Sequence, residues 1–481
     1  MQGFSLRDAF PLRGALCLLF LLRRAAASGS FFSCFLRPSP HPGILCGGDG
    51  RSVLNSETGA AESFYSEAEG RSTSSLSLSQ LNKASDASCL SSRRPEATDL
   101  RSRRGGILQR FGVGAFGALG VPLLRGFPTA YAGGSLQTGG QMGTVKVGDS
   151  LEVSRLGVGT WSWGNKILWG YDESMDGQLQ DAFDEIVRGG VNWFDSADSY
   201  GTGKITGRAE TLLGRFAREN RNGRAGENVK VFTKFAPYPF RVGRESMVTA
   251  VDEACARLGR SKIEVGQLHW IPPGGWQLRE YLDGLAYCVR ERGTLGAVGV
   301  SNCGPKELKQ IAKRLKDLGV PLVSNQVQFS LVSRLPETSG LLNECADMGI
   351  RLIGYSPLCL GLLTGKFSQQ PAEPKQSLPS GLRSVVFPSL LSKTEGLQAT
   401  LREISAAQSK KTGVSVTPAA VAISWVLSKD VLCLVGVKNA NQSVENLKAA
   451  GLKLDEGELR ALDDESRGLG NLAQQNIFQT A

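Results

Sequence analysis

Short apolar runs recur along most of the chain, and they predict its secondary structure. Eight of them consist mainly of branched residues: LGVGT, VNWFD, VKVFTK, IEVGQLHW, AVGVS, PLVSNQVQ, IRLIGY and VLCLVGV, the first starting at Leu156 and the last at Val431. They are apolar on both faces, which is typical of strands in a buried parallel sheet. The segments Val145–Val147 and Leu151–Val153 precede them and predict a short hairpin.

Between these runs, apolar residues recur every three or four positions, as they do on one face of a helix. The apolar sets are Leu179, Phe183, Ile186 and Val187 before strand two; Val248, Val251, Ala254, Cys255 and Leu258 before strand four; Leu308, Ile311, Ala312 and Leu315 before strand six; and Leu401, Ile404, Ala420 and Val421 before strand eight. Eight strand–helix units, with no G-x-G-x-x-G after the first strand, favour an α/β fold of the (β/α)8 TIM-barrel type over a doubly wound sheet. We predict one such barrel over residues 135–481.

Residues 1–134 lack this alternation and are typical of a disordered targeting leader. The apolar run from Gly14 to Leu22 is shorter than the roughly 20 residues of a membrane span, and small residues follow it. This favours a secretory-type signal peptide, with a signal anchor as the alternative. The stretch from Gly29 to Arg104 is rich in Ser, Gly and Arg, as in a transit peptide or a disordered linker. Together they resemble the two-part presequence of algae whose plastids lie inside the secretory system.

A third targeting feature closes the leader. Arg103 and Arg104 precede an apolar stretch over residues 111–124, and Ala130-Tyr131-Ala132 follows. This order resembles a Tat-type signal, which in a plastid leads to the thylakoid lumen. The G-x-G-x-x-G inside the stretch lacks both a preceding strand and an acidic residue about 20 positions later, so we do not interpret it as a dinucleotide site.

The charge of the chain is concentrated in this leader. The chain carries 55 Lys+Arg against 45 Asp+Glu, for a net charge of +10, and residues 1–134 hold 15 of the basic and 9 of the acidic residues. A nucleic-acid-binding protein concentrates basic charge on its folded part, so we expect no nucleic-acid partner. Only two histidines occur, His41 and His269, which excludes a histidine-rich metal site, and we expect no metal. The six cysteines after residue 134 form no C-x-x-C, and we expect buried thiols.

A barrel of this type performs its chemistry at the C-terminal ends of its strands. That rule selects, in chain order, Asp195, Lys234, His269, Ser301, Asn302, Gln326, Tyr355, Ser356, Gly436 and Lys438, and Tyr200 lies five residues after Asp195 in the following loop. A lone Asp, Lys or Tyr beside a strand is more often structural than catalytic, and His269 by itself is evenly balanced between the two. The convergence of a proton donor, a carboxylate, an ammonium and the only histidine of the barrel on one rim favours catalysis.

This set of groups suits the reduction of a carbonyl. Addition of hydride leaves a negative oxygen that must receive a proton, and a tyrosine with a reference pKa of about 10 is a poor acid near neutrality. A nearby ammonium lowers that pKa by stabilising the phenolate, and a carboxylate holds the ammonium in place. A histidine donates to the carbonyl oxygen and orients it.

Longer motifs contain these residues: NWFDSADSYG, VFTKF, QLHW, GVSNCGP, SNQVQFS, IGYSPLCLGLLTGK and VGVKNANQSVEN. Through them the chain from about Val145 to Ala481 resembles the aldo-keto reductase superfamily, and most closely its plant plastid members. The resemblance implies an NADPH-dependent oxidoreductase that reduces an aldehyde or ketone to an alcohol. It implies that Asp195, Tyr200, Lys234 and His269 form the catalytic tetrad, with Tyr200 as proton donor.

The resemblance also implies an NADP(H) site. Ser301, Asn302 and Gln326 would bind the nicotinamide carboxamide, and Tyr355 would stack on the ring. The pyrophosphate would be lined by Ser356, Pro357, Leu358, Gly361, Leu363, Thr364 and Lys366. The adenosine phosphate and the adenine would be held by Gly436, Lys438, Gln442, Glu445 and Asn446. The family often has Arg where Lys438 and Asn439 stand, so recognition of a 2′-phosphate would depend mainly on Lys438.

Three further features have more than one interpretation. Trp161, Trp163, Trp169 and Tyr171 follow the first strand, where they either pack the rim or form a wall for an apolar or ring-shaped substrate. The loop from Trp270 to Gly275 would alter the substrate mouth. The interval from Gly361 to Gly396 is longer than an ordinary loop, which favours a cofactor-covering lid over a flexible insertion.

The competing function is an NADP(H)-binding sensor or scaffold with little turnover, against which the intact tetrad argues. We expect a small carbonyl substrate and peripheral contact with a membrane surface, and the sequence leaves the oligomeric state open. Reduced pyridine nucleotide is used on the stromal side of a plastid. We therefore place the stroma or a membrane surface ahead of the thylakoid lumen.

Overall fold

The computed structural model of the chain describes residues 142–201, 207–367, 382–472 and 479–480. The predicted leader over residues 1–134 and residues 368–381 of the interval interpreted as a lid lie outside the described residues. The described part begins with β1 (Thr144–Val147) and β2 (Leu151–Ser154), which pair antiparallel. The predicted hairpin is therefore confirmed.

Eight parallel strands follow and close into a barrel. They are β3 (Leu156–Gly159), β4 (Trp193–Asp195), β5 (Lys230–Phe235), β6 (Ile263–Leu268), β7 (Leu295–Ser301), β8 (Leu322–Gln328), β9 (Arg351–Tyr355) and β10 (Leu432–Gly436). Each strand pairs with its successor, and β10 pairs with both β9 and β3. The eight strands coincide with the eight apolar runs of the sequence, so the predicted (β/α)8 fold is confirmed.

Helices occupy every connection after a barrel strand. They are α1 (Lys166–Trp169), α2 (Asp176–Arg188), α3 (Arg208–Arg218), α4 (Arg224–Glu227), α5 (Arg244–Leu258), α6 (Leu278–Arg290), α7 (Pro305–Asp317), α8 (Leu335–Thr338), α9 (Leu341–Asp347), α10 (Leu382–Lys393), α11 (Glu395–Thr412), α12 (Pro418–Ser428), α13 (Ala440–Gly451) and α14 (Glu456–Arg467). The predicted apolar faces of α2, α5 and α7 are buried against the sheet, with Ala312 only partly buried. Among the described residues, none of the helices is both long and apolar enough to cross a bilayer.

The hairpin closes the N-terminal end of the barrel. Val147 and Val153 pack in one buried cluster with Trp193, Phe232 and further apolar side chains from the barrel strands. The Trp193 indole donates a hydrogen bond of 2.8 Å to the Ser154 carbonyl. A Cβ on Gly157 would lie 2.1 Å from this indole, so only glycine fits beside it. Because this end is filled with apolar side chains, any site must lie at the opposite end.

The cysteines of the barrel all lie in the interior. Cys255, Cys288, Cys303, Cys345, Cys359 and Cys433 are buried. Burial raises the pKa of the Cys288 thiol to about 11 and that of Cys345 to about 12. The expectation of buried thiols is confirmed.

Candidate active site

A cavity of about 1020 Å³ opens at the C-terminal ends of the barrel strands. Asp195, Tyr200, Lys234 and His269 all line it. The predicted cofactor residues that line it as well are Ser301, Asn302, Gln326, Tyr355, Ser356, Pro357, Leu358, Gly361, Thr364, Lys366, Gly436, Lys438, Gln442, Glu445 and Asn446. Leu363 is fully buried and is not part of the cavity wall. With Gly159 at the end of β3, all eight strand ends contribute residues to this one cavity.

A buried ion pair forms the floor of this cavity. The Lys234 ammonium contacts the Asp195 carboxylate and donates a hydrogen bond of 2.7 Å to the Ser196 carbonyl. Both side chains are only 1 % exposed. Burial lowers the pKa of Lys234, and the negative charge of Asp195 opposes that effect. The pair therefore keeps a cation in a place where water is excluded.

Two amides complete the environment of this carboxylate. The Asp195 Oδ1 accepts hydrogen bonds from Gln326 Nε2 at 2.7 Å and from Gln267 Nε2 at 3.1 Å. Sequence reasoning missed Gln267. The signal was present, because a polar residue two positions after Val265 in a buried strand faces the same way as Val265.

Tyr200 lies above the ion pair. The Lys234 Nζ is 4.9 Å from the centre of the Tyr200 ring, and the His269 ring is 5.9 Å from it in an edge-to-face arrangement. Burial and the charges of Asp195 and Asp198 raise the pKa of Tyr200 well above its ordinary value. The expected lowering of this pKa is therefore wrong for the chain by itself, since burial and the two carboxylates act in the opposite direction. The phenol carries its proton at neutral pH.

His269 is held in the neutral form. Burial, with the nearby positive charge of Lys234 as a second cause, lowers the pKa of His269 well below its ordinary value. Its Nδ1 lies 3.5 Å from the Ser199 Oγ, and its backbone carbonyl accepts a hydrogen bond of 3.0 Å from Asn302 Nδ2. A neutral imidazole has one N–H, so it can donate to a carbonyl oxygen only through the nitrogen that carries it.

A network of amide and hydroxyl groups surrounds Asn302, which adopts a left-handed conformation with φ of 60°. Its side chain donates to Ser301 Oγ at 3.0 Å and accepts from the Tyr355 hydroxyl at 2.9 Å. Its carbonyl accepts from the Thr480 N–H at 3.1 Å, and the Thr480 Oγ1 accepts from the Gly304 N–H at 2.7 Å. The tail of the chain thus fixes the turn that presents Asn302. Sequence reasoning assigned no role to Thr480.

The turn after β9 forms the next part of the wall. Ser356, Cys359, Leu360 and Gly361 all have positive φ, between 46° and 101°. Successive left-handed residues are typical of backbone concavities that bind anions. Lys366 lies at the exposed end of this turn. The resemblance assigned this segment to a pyrophosphate.

The turn after β10 forms the end of the cavity wall that lies beyond the turn after β9. The Lys438 Nζ lies 5.3 Å from the centre of the Trp169 ring, and Gln442 Oε1 accepts a hydrogen bond of 2.9 Å from the Lys438 N–H. The Asn439 side chain caps α13 by accepting from the Gln442 N–H at 2.9 Å. Lys438 is therefore placed between an aromatic face and the first turn of a helix.

The four aromatic residues after β3 divide into two pairs. Trp161 and Trp169 line the cavity and contact each other edge to face, with 5.9 Å between ring centres. Trp163 is fully buried and its indole donates to the Val437 carbonyl at 2.9 Å, while the Tyr171 hydroxyl donates to Asp176 at 2.7 Å. Packing of the rim is thus confirmed for Trp163 and Tyr171, and a substrate wall formed by Trp161 and Trp169 stays a prediction.

Comparison with known proteins identifies the family of the chain. The profile of the Aldo/keto reductase family matches residues 155–466. The chain is 43% identical over 339 residues to the chloroplastic pyridoxal reductase of Arabidopsis thaliana, which covers 70% of this chain and 89% of the relative. Among solved structures, it is similar to a thermostable aldo-keto reductase bound to the inhibitor epalrestat (TM-score 0.51, 27% identity, 67% of this chain and 100% of that chain). It shares its fold with the glycerol dehydrogenase of Gluconobacter oxydans (TM-score 0.55, 24% identity, 70% and 99%).

The family match covers more than half of the chain and includes every barrel strand. The relatives are oxidoreductases by name, and the cavity at the C-terminal ends of the strands contains the groups that the sequence selected. The chain belongs to the aldo/keto reductase family of oxidoreductases.

Proposed function

We propose that the protein is an NADPH-dependent reductase that converts an aldehyde or ketone into an alcohol, with Tyr200 as the proton donor. The observation that carries the proposal is the convergence of the buried Asp195–Lys234 pair, Tyr200 and His269 on one cavity. A sensor without turnover has no use for a protonated phenol beside a buried ammonium.

The chemistry of the cavity wall fits a nicotinamide dinucleotide. Its volume of about 1020 Å³ lies at the upper end of the range of about 300–1,000 Å³ that is usual for small-molecule sites. The left-handed turn at Ser356–Gly361 suits a pyrophosphate, and the Lys438 ammonium suits a 2′-phosphate. Within the described residues, the buried Glu445 Oε2 has no hydrogen-bond partner, and an amino group of a bound base would supply a donor.

When bound, the reduced nicotinamide supplies a hydride to the carbonyl carbon. The residues of the chain manage the proton and the charge. Tyr200 passes its hydroxyl proton to the carbonyl oxygen as negative charge develops there, and Lys234 stabilises the phenolate that remains. Asp195 holds the ammonium in place, and His269 donates a hydrogen bond that orients the carbonyl.

For the substrate, we propose an aldehyde carried on a planar ring, with pyridoxal as the first compound to test. The Arabidopsis relative is named for the reduction of pyridoxal. The edge-to-face pair of Trp161 and Trp169 gives the cavity an aromatic wall. Aromatic rings pack favourably against such a wall.

The test is to mix the purified chain with NADPH and pyridoxal and to follow oxidation of the cofactor by absorbance. We expect turnover in the wild type and a loss of about 10²–10⁴-fold in kcat for Tyr200→Phe, with NADPH binding retained. Tyr287→Phe is the matched control, because Tyr287 lies on α6 outside the cavity. Tight NADPH binding without any Tyr200-dependent oxidation of pyridoxal or other aldehydes would instead support a sensor.

We also propose that the protein works in a plastid, in the stroma or at a membrane surface. The support is the leader composition and the chloroplastic location in the name of the Arabidopsis relative. Imaging a fluorescent fusion of residues 1–134 tests the location. The same fusion with Arg103 and Arg104 changed to Lys tests the Tat-type signal, because delivery to the lumen by that route requires the twin arginine.

A further inference from the structure

The tail of the chain bonds twice to the turn between β7 and α7. The Thr480 N–H donates a hydrogen bond of 3.1 Å to the Asn302 carbonyl, and the Thr480 Oγ1 accepts one of 2.7 Å from the Gly304 N–H. Thr480 does not line the cavity and has no part in the mechanism above. It nevertheless spans the turn with both its backbone and its side chain.

This turn needs support, because its backbone is in a conformation that few residues other than glycine adopt. Asn302 has a φ of 60°, in the left-handed region, and is only 1 % exposed. Its N–H donates to the Gln326 carbonyl at 2.8 Å, and the carbonyl of the next residue, Cys303, accepts from Asn325 Nδ2 at 2.8 Å. Strained backbone at a functional site persists only where the surrounding contacts fix it. The barrel strand β8 supplies one set of these contacts, and the tail supplies the other.

The turn sets the direction of the Asn302 amide at the cavity wall. Its Nδ2 donates to the His269 carbonyl and to Ser301 Oγ, each at 3.0 Å, which uses both of its protons. Because a carbonyl can only accept, the contact with His269 fixes which end of the amide is nitrogen. Its Oδ1 accepts from the Tyr355 hydroxyl at 2.9 Å and has a second lone pair. Within the hydrogen bonds of the described residues, that lone pair is what this amide retains for a ligand, and it suits an N–H donor such as a carboxamide.

We propose that Thr480 is a positioning residue for the nicotinamide half of the cofactor. Its two hydrogen bonds hold the turn so that the second lone pair of Asn302 Oδ1 is available to the carboxamide. The inference rests on the proposed NADPH-dependent function, to which it adds a role for a residue 176 positions away from Gly304. When these bonds are lost, the turn relaxes toward an unstrained backbone and the amide changes direction. Binding of the nicotinamide half then weakens, while the adenosine half, which we assign to the turn after β10, is unaffected.

The first test requires no cofactor. Thr480→Val keeps the shape of the side chain but removes the acceptor, so the Gly304 N–H loses its partner. In the free full-length protein, hydrogen–deuterium exchange followed by mass spectrometry should become faster in the peptide that contains Gly304. Thr480→Ser retains the acceptor and should restore the wild-type rate. An unchanged rate in Thr480→Val would overturn the proposal.

The second test separates the two halves of the cofactor. We expect Thr480→Val to bind NADPH about threefold to tenfold more weakly than wild type in a fluorescence titration, the value of one hydrogen bond. The affinity for adenosine 2′,5′-bisphosphate, which lacks the nicotinamide, should stay unchanged. Thr480→Pro also lacks the N–H that bonds Asn302 and should weaken NADPH binding further. An unchanged affinity for NADPH in Thr480→Val, or an equal loss for both ligands, would overturn the proposal.

A double variant tests whether Thr480 acts through Asn302. Asn302→Ala removes the amide that the turn presents, so adding Thr480→Val should weaken NADPH binding no further, whereas multiplied effects would contradict the proposal. Thr338→Val is the matched control, since the Thr338 hydroxyl bonds a backbone carbonyl at α8, outside the cavity. NADPH binding without turnover in the wild type would overturn the reductase function alone, and normal turnover with the contrary results above would overturn this inference alone. The two failures are therefore distinguishable.

Discussion

The two ends of the barrel interior differ sharply although they are built on the same strands. In each of three neighbouring strands, an apolar inward residue near the closed end is followed two positions later by a polar one. The pairs are Trp193 and Asp195 on β4, Phe232 and Lys234 on β5, and Val265 and Gln267 on β6. Two residues along a strand span about 6.6 Å, so the interior changes from apolar core to reactive site within one side-chain layer.

The comparison shows how the barrel tolerates a buried ion pair. Removing an ammonium and a carboxylate from water is costly, and their attraction repays the cost only with good geometry and further hydrogen bonds. The amides of Gln267 and Gln326 provide those hydrogen bonds on Asp195. The apolar layer beneath, closed by the hairpin, contributes the hydrophobic stabilisation that the polar layer lacks. One layer therefore stabilises the fold, and the other contains the groups to which we assign the chemistry in the proposed function.

The largest expected effect comes from removing the cation of the polar layer. In Lys234→Met we expect kcat/KM to fall by about 10²–10⁴-fold, because the Tyr200 phenolate loses its stabilising charge. The free energy of unfolding should also fall by about 3–5 kcal/mol, because Asp195 is left as an unpaired buried charge. Steady-state kinetics and urea unfolding measure the two effects.

Lys230→Met is the matched control for that variant. Lys230 begins the same strand but is only partly buried, so we expect kcat within about twofold of wild type and a stability change within about 0.5 kcal/mol. A similar loss of activity in Lys234→Met and Lys230→Met would contradict the assignment of the activity to the polar layer.

A smaller and purely structural effect is expected in the apolar layer. Trp193→Ala should lower the free energy of unfolding by about 3–5 kcal/mol, because it leaves a cavity where the indole packs and removes its bond to Ser154. The kcat of the folded fraction should stay within about twofold of wild type. Trp276→Ala is the control, since that side chain is 48% exposed and its truncation should change stability by less than about 0.5 kcal/mol. A collapse of kcat in folded Trp193→Ala would show that the layers are coupled.

The smallest expected effect lies outside the barrel interior, at the far end of the cavity. Lys438→Ala should weaken NADPH binding about tenfold and leave NADH binding nearly unchanged, because a partly buried charge on a phosphate contributes about 1–1.5 kcal/mol. Cofactor titration by fluorescence measures both affinities. Lys366→Ala is the informative comparison, since a lysine on a pyrophosphate should weaken both cofactors alike. An equal loss of affinity for NADPH and NADH in Lys438→Ala would show that Lys438 does not recognise a 2′-phosphate.

Much of the fold and part of the site could be predicted from the sequence. Strands of a buried parallel sheet are apolar on both faces, so their positions are visible in the pattern itself, and all eight were located. The rule that barrel strands carry chemistry at their C-terminal ends then selected Asp195, Lys234 and His269, which line the cavity. The roles of these residues remain proposals that the kinetic variants test.

The limits of sequence reasoning have a physical origin in long-range contacts. Thr480 contacts Asn302 and Gly304 from 176 or more positions away, a pairing that no local pattern can reveal. The aromatic residues after β3 look alike in sequence, yet Trp161 lines the cavity while Trp163 is in the core. Whether a side chain of this loop points into the cavity or into the core depends on the packing of the whole loop and not on residue type.

By itself, the sequence determined the strand order, the barrel and the rim on which the reactive groups would meet, because these follow from periodicity and from the direction of parallel strands. Only the tertiary structure decided the protonation of those groups. Burial keeps Tyr200 protonated, and burial together with the positive charge of Lys234 keeps His269 neutral, since the cost of removing a charge from water depends on everything packed around it. The placement of the Ser199 Oγ 3.5 Å from His269 Nδ1 was decided in the same way, because the two residues follow different strands and meet only in the folded barrel.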